Sequence, residues 1–120
     1  MTDEEVEMEI FRAGSYGDKG TWSDADLQQI ADDYRAELLE APLTFDHAQT
    51  GPAYGWVSRI RREGDRLVAA LKGVPDAVRQ LVRCGAYKRR SVELFRKLPQ
   101  TGRPYLRAVS LLGAATPEVK

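Results

Sequence analysis

Residues 54–74 read YGWVSRIRREGDRLVAALKGV, and this stretch decides the class of fold. Tyr54 to Arg61 reads as one strand, and Leu67 to Val74 returns as a second. Between them Gly64-Asp65 is a tight-turn pair, because glycine accepts the backbone angles that a short reversal demands. The segment is therefore a β-hairpin, and antiparallel pairing is the starting point for the rest of the chain.

Outward from the hairpin the period changes twice. Upstream, Leu43, Phe45 and His47 fall on one face of a short strand, and Thr44 and Asp46 on the other. A loop through Thr50, Gly51 and Pro52 separates that strand from the hairpin. Before it, Ser23 with Asp26 three residues on forms a short-acid variant of the capping box. Leu27, Ile30, Tyr34 and Leu38 follow at helical spacing, and Pro42 marks that helix as finished. Gly14 to Gly20 is a loop. At the start, Val6, Met8 and Ile10 alternate with Glu7, Glu9 and Phe11, the pattern of a half-buried strand.

Downstream, Pro75-Asp76 opens a second helix with Val78, Leu81 and Val82 inward and Gly85 just past its end. Arg90 to Lys97 and Tyr105 to Leu112 are two further strands, joined through Pro99, Thr101 and Gly102. Five or six strands with two inserted helices predict an α+β domain, a small, mostly antiparallel β-barrel-like core with peripheral helices. Neither βαβ alternation nor a Gly-rich phosphate loop is present, which argues against a nucleotide-binding fold.

Composition narrows the function. The 120 residues suffice for a single domain. Formal net charge is zero, so no global field draws the chain to nucleic acid or membrane. The charges are nonetheless segregated. Asp3, Glu4, Glu5, Glu7 and Glu9 form an acidic opening, while Arg59 to Arg62 and Lys88 to Arg90 are basic. Such runs read first as solvated faces. The single cysteine, Cys84, excludes an internal disulfide. With a single histidine it also excludes a Cys/His zinc site, so neither metal nor cofactor is expected. The first residues are not those of a signal peptide, and no apolar run approaches membrane-spanning length. A soluble, cytoplasmic protein is expected.

The lone histidine concentrates the chemistry. A serine hydroxyl at neutral pH needs an adjacent base to accept its proton, and imidazole, with an ordinary pKa of about 6.5, suits that task. His47 enters a Gly/Pro loop at a strand end, where reactive groups are often presented; a hydrogen-bonded structural histidine is the plainer alternative. Of the serines, Ser23 is accounted for as a cap and Ser15 lies in a loop. Ser91 lies in a strand after Lys88-Arg89-Arg90, with Glu93 on its own face. Taken alone, a strand serine reads as structural.

The ordered set of motifs adds a family. His47, Pro52, Tyr54-Gly55-Trp56-Val57, Gly64-Asp65, Gly85-Ala86-Tyr87-Lys88 and Arg90-Ser91, closing with PYLRAVSLLGAATPEVK, resembles the protease of Mu-like phages and, more loosely, the wider prohead maturation proteases. The resemblance runs from about Val6 to Lys120. It implies a fold similar to herpesvirus assemblin and a serine endopeptidase that cleaves scaffold, itself and the major capsid protein. Ser91 would be the nucleophile and His47 the general base. The amides near Gly113 and Ala114 would form the oxyanion hole. Scaffold and major capsid protein would be its partners as substrates, with a homodimer also in view, and the site of action would be the assembling procapsid in the bacterial cytoplasm. Family members continue into a scaffolding tail, so these residues would be the N-terminal part of a longer protein.

The third member of the triad is open at this point. Related proteases orient the histidine from the closing strand, where Ala108 stands here, and alanine has no acceptor. Glu93 shares a face with Ser91 and reaches His47 if their strands are neighbours; Asp46 should point away; backbone or water could also serve. Two rivals stand beside the protease: an inactive capsid-assembly domain of the same fold, and a nucleic-acid binder using the basic runs.

Overall fold

The hairpin is the spine of the molecule. In a computed structural model, which describes residues 5–114, β5 (Trp56–Glu63) and β6 (Arg66–Lys72) pair antiparallel around Gly64, whose φ is 60°. β6 is the central strand of its sheet, between β1 (Val6–Arg12) and β5. Leu67 to Leu71 are accordingly buried on both faces, an apolar run where a strand exposed on one side would alternate.

A second three-stranded sheet has the order β4 (Leu43–Phe45), β8 (Arg103–Leu112), β7 (Arg89–Leu98). β7 and β8 are antiparallel, but β4 runs parallel to β8. The two sheets are stitched where β4 meets the start of β5. There the Leu43 N–H donates to Gly55 O (2.8 Å), Tyr54 N–H to Leu43 O (2.8 Å) and Val57 N–H to Ala41 O (2.9 Å). The strands therefore wrap as β1-β6-β5-β4-β8-β7. β1 and β7 end their sheets and face each other without being ladder partners. The α+β class with mostly antiparallel strands is as expected, while the barrel stays open along this seam.

The helices are peripheral. α1 (Asp24–Asp33) carries the complete capping box: Asp26 N–H donates to Ser23 Oγ and Ser23 N–H to the Asp26 carboxylate. It ends five residues before the expected Leu38, which is exposed. Tyr34 leaves helical geometry because its hydroxyl donates to Val57 O (2.7 Å) and accepts from Ala41 N–H (2.9 Å). Its ring stacks on Tyr105, whose hydroxyl lies 2.7 Å from Arg35 O and 2.8 Å from Leu39 O. Two tyrosines thus strap the irregular link between α1 and β4. α2 (Asp76–Arg83) buries Val78 but leaves Leu81 at the surface, contrary to the helical-face expectation.

The first strand also departs from simple alternation. A register shift between Glu9 and Phe11 turns Phe11 inward, where it meets the rings of Tyr16 and Trp22. Those rings flank a small hairpin whose first strand, β2 (Gly14–Ser15), lies in the stretch expected as loop and whose second, β3 (Thr21–Trp22), directly follows it. Among the described residues no helix is long and apolar enough to cross a membrane. Asp3, Glu4 and the closing Ala115 to Lys120 lie outside the described residues.

Candidate active site

β4 is three residues long, and its end creates the site. Asp46 and His47 both adopt left-handed backbone angles, φ 48° and 59°. Each such non-glycine residue costs about 1–2 kcal/mol, and strain of this kind persists only where surrounding contacts hold it. Here the Asp46 N–H donates to Leu111 O (3.0 Å), the Ala48 N–H to Phe45 O (3.0 Å), and the His47 N–H to Ser110 Oγ (2.6 Å). The strand pattern predicted His47 on the face of Leu43 and Phe45. The left-handed turn instead carries it over the face of Thr44, whose hydroxyl also lies near Ser110 Oγ (3.5 Å).

Register assembles the rest of that face. Thr44 is opposite Ser110 on β8, Ser110 is opposite Ser91 on β7, and Ala108 is opposite Glu93. Side chains directly opposed in a sheet share a face, so Thr44, Ser110, Ser91, Ala108 and Glu93 form one patch. All five are buried. The imidazole Nδ1 lies 3.1 Å from Glu93 Oε2, with the His47 side chain 15% exposed and that of Glu93 4%. β8 separates β4 from β7, so His47 and Glu93 are not on neighbouring strands. The contact exists because the turn reaches back across β8, above the side chain of least bulk, Ala108.

Glu93 is itself fixed at its other oxygen. Oε1 accepts from Gln49 Nε2 (2.9 Å) and from the Arg107 guanidinium (2.5 Å). Gln49 Nε2 also donates to His47 O (3.0 Å), tying the loop to the carboxylate it faces. Three hydrogen bonds, one of them from an arginine, satisfy a carboxylate that would otherwise be costly to bury. Gln49 and Arg107 were not legible as site residues. Strand alternation would send Arg107 away from Ala108's face. It arrives because the β7–β8 ladder slips between Glu93 and Leu94, leaving Arg107 as the extra residue of a bulge.

This arrangement assigns the ring. An ionised carboxylate only accepts, so a neutral imidazole facing one carries its proton on Nδ1 and its lone pair on Nε2. Nε2 is buried and has no hydrogen-bond partner among the described residues. A buried, oriented imidazole with its basic nitrogen uncommitted can accept a proton from a hydroxyl brought to it.

The other candidates divide. Ser91 is buried on the same face as Glu93, and it lines a cleft of ≈440 Å³ at the β1/β7 seam. Asp46 is turned elsewhere: its Oδ1 faces the Gly113 N–H at 3.4 Å. That amide is therefore engaged by Asp46, and Ala114 follows it at the surface. Of the basic runs, Arg59 and Arg61 are paired with Glu5 and with Glu7 and Glu63, and Arg62 bonds Gln28. They form a solvated, ion-paired face, the plainer of their two readings.

Comparison with known proteins adds no identification: no family model matches the chain, and no match was found among curated proteins or solved structures.

Proposed function

We propose that the chain is a serine endopeptidase with Ser91 as nucleophile, His47 as general base and acid, and Glu93 as the residue that orients the histidine. One observation carries the reading: His47 Nδ1 lies 3.1 Å from the buried Glu93 carboxylate while Nε2 is buried with no hydrogen-bond partner among the described residues, above the sheet face that bears Ser91. A histidine serving only structure would be expected to commit both ring nitrogens.

The chemistry follows from those roles. Ser91 Oγ attacks the peptide carbonyl as Nε2 takes the hydroxyl proton, and the imidazolium formed is stabilised by Glu93. The proton passes to the leaving amine as the C–N bond breaks, leaving an acyl-serine. Water, deprotonated by the same nitrogen, then releases the acid and restores Ser91. Arg107 and Gln49 hold Glu93 so that its second oxygen faces the ring. The strained turn at Asp46-His47 keeps the ring in place before substrate arrives, so little reorganisation is left for the reaction.

The resemblance to Mu-like phage proteases supplies the biological setting of the proposal: cleavage of scaffold, of itself and of the major capsid protein inside a procapsid in the bacterial cytoplasm. The test uses a serine-directed phosphonate and a longer, self-cleaving chain. Label should attach at Ser91, and Ser91→Ala and His47→Ala should each abolish labelling and self-processing while leaving circular dichroism unchanged. Effects within one catalytic unit are non-additive, so the double variant should be no worse than either single one. Continued cleavage by Ser91→Ala would remove Ser91 from its role. Absence of labelling in the parent chain would favour an assembly domain that has the fold without the activity.

A further inference from the structure

The cleft that Ser91 lines has an unusual charge. It is bounded on one side by Glu9 to Arg12 of β1 and on the other by Lys88 to Val92, so four cationic side chains meet one carboxylate. That carboxylate, Glu9, is already engaged by Arg12 at 3.0 Å and by Arg66 at 3.3 Å. Both walls are edge strands, β1 of one sheet and β7 of the other, and an edge strand presents backbone N–H and C=O groups without a ladder partner on that side.

Arg90 is the half-buried cation of this cleft, where Lys88 and Arg89 are exposed. Its Nε lies 3.5 Å from Met8 Sδ, so the side chain spans the seam from β7 to β1. One further N–H donates to the Lys88 carbonyl at 3.2 Å. Among the described residues it has no salt bridge, and its remaining N–H groups have no protein acceptor. The guanidinium is half-buried, and burial pulls its pKa below the ordinary arginine value, opposed only by the field of Glu9. A desolvated, incompletely bonded guanidinium is costly unless something supplies the missing oxygens. Surface lysines and arginines pointing into water carry no such demand.

We infer that Arg90 is a specificity-determining residue, which binds an acidic side chain of an extended peptide lying in the β1/β7 cleft. The proposal rests on the peptidase reading of the same site and names the substrate class it prefers: segments with a Glu or Asp close to the scissile bond. A carboxylate accepts two parallel N–H bonds from a guanidinium, and the strand edges on either side suit the extended backbone that carries it. A nucleic-acid strand is less well served. The aromatic rings lining the cleft, Phe11 and Tyr16, are stacked on each other and not free to take bases.

The experiment measures binding rather than turnover. Fluorescent alanine-threonine peptides with one central Glu, Gln or Lys are titrated into the Ser91→Ala chain, with and without Arg90→Met or Arg90→Glu, and anisotropy is read. The Glu peptide should bind at least about tenfold more tightly than the Gln peptide, a difference of about 1.4 kcal/mol. Arg90→Met should bring that ratio to about one, and Arg90→Glu should shift preference to the Lys peptide. Thermal unfolding separates binding from stability: Arg90→Met, which replaces a half-buried charge by an apolar chain, should unfold no lower than its parent. Equal affinity for Glu and Gln, no binding of any peptide, or a Glu preference that survives Arg90→Met overturns the proposal. So does Arg90-dependent binding of a single-stranded oligonucleotide in place of the peptides. The two readings fail separately. A parent chain that binds Glu peptides through Arg90 but never cleaves keeps Arg90 and loses Ser91; one that cleaves Glu and Gln peptides equally keeps Ser91 and loses Arg90.

Discussion

Glu93 and Ala108 stand directly opposite each other across β7 and β8, and the Glu93 carboxylate lies 3.1 Å from His47 Nδ1. Ala108 shares that sheet face and has no polar side-chain atom to offer the ring.

Enlarging Ala108 should harm the site. Cross-strand partners have Cβ atoms about 4.5–5.5 Å apart, so Ala108→Glu would bury a second carboxylate against Glu93 beneath the imidazole. We expect a lower denaturation midpoint and slower cleavage. Faster cleavage by Ala108→Glu or Ala108→His would mean that position 108 can orient His47 after all, the outcome its place on the closing strand suggests.

Glu93→Gln keeps shape and removes charge. The amide cannot stabilise an imidazolium, and it can present its NH₂ to Nδ1 and reverse the ring tautomer. Losing the orienting carboxylate of a Ser-His-Asp triad costs about 10⁴ in kcat, so a fall between about tenfold and that limit is expected. Rates of self-cleavage, or of phosphonate labelling at fixed reagent, give the number. A wild-type rate would reduce the site to a dyad.

Gly55 has φ 147°, and a Cβ there would lie 2.7 Å from Val74 Cγ2 and 3.3 Å from Lys72 O. Gly55→Ala should destabilise by about 2–4 kcal/mol, combining backbone strain with overpacking beside the β4–β5 stitch. Urea unfolding reads the change directly. A shift within about 0.5 kcal/mol would show that the two sheets tolerate movement at their junction.

Tyr34 couples stability to alkaline pH. Burial pushes its hydroxyl pKa up to about 12, opposed by its bond to Ala41 N–H. A folded pKa above the unfolded value of about 10 means that the native state holds the proton longer. Its contribution is fully present below about pH 10 and is lost as pH rises toward about 12, on the order of 2–3 kcal/mol in all. Tyr34→Phe should cost about 1–3 kcal/mol at neutral pH, because Ala41 N–H and Val57 O lose their partner, and should flatten that alkaline decline. Denaturant midpoints at neutral pH and at about pH 11 test both parts.

What the sequence determined by itself is what depends on neighbours along the chain. The hairpin around Gly64-Asp65 needs only a glycine and two flanking strands; the α1 start needs Ser23 and Asp26 three residues apart; the pairing of Ser91 with Glu93 on one face needs only a two-residue period. Such patterns are set by bond geometry and survive any tertiary arrangement. Single-face periodicity misled where tertiary contacts replaced local order. Leu38 follows the helical spacing but lies beyond a helix that two tyrosine hydroxyls end early, and Phe11 follows the polar alternation but is turned inward by a bulge.

The site itself was decided by tertiary structure. The left-handed turn at Asp46-His47 carries only a weak signal in residue type, since Asp and His tolerate positive φ better than most residues, and it is held by Leu111 O and Ser110 Oγ, 65 and 63 positions away in the chain. The bulge that delivers Arg107 depends on how β7 and β8 slide past each other. The parallel pairing of β4 with β8 brings together segments that no local pattern connects. A residue's chemistry is written in its side chain, but which groups meet depends on strand register and on backbone strain that distant hydrogen bonds sustain. So the sequence could nominate Ser91, His47 and Glu93, and only the folded chain could set a carboxylate against Nδ1 and leave Nε2 without a partner among the described residues.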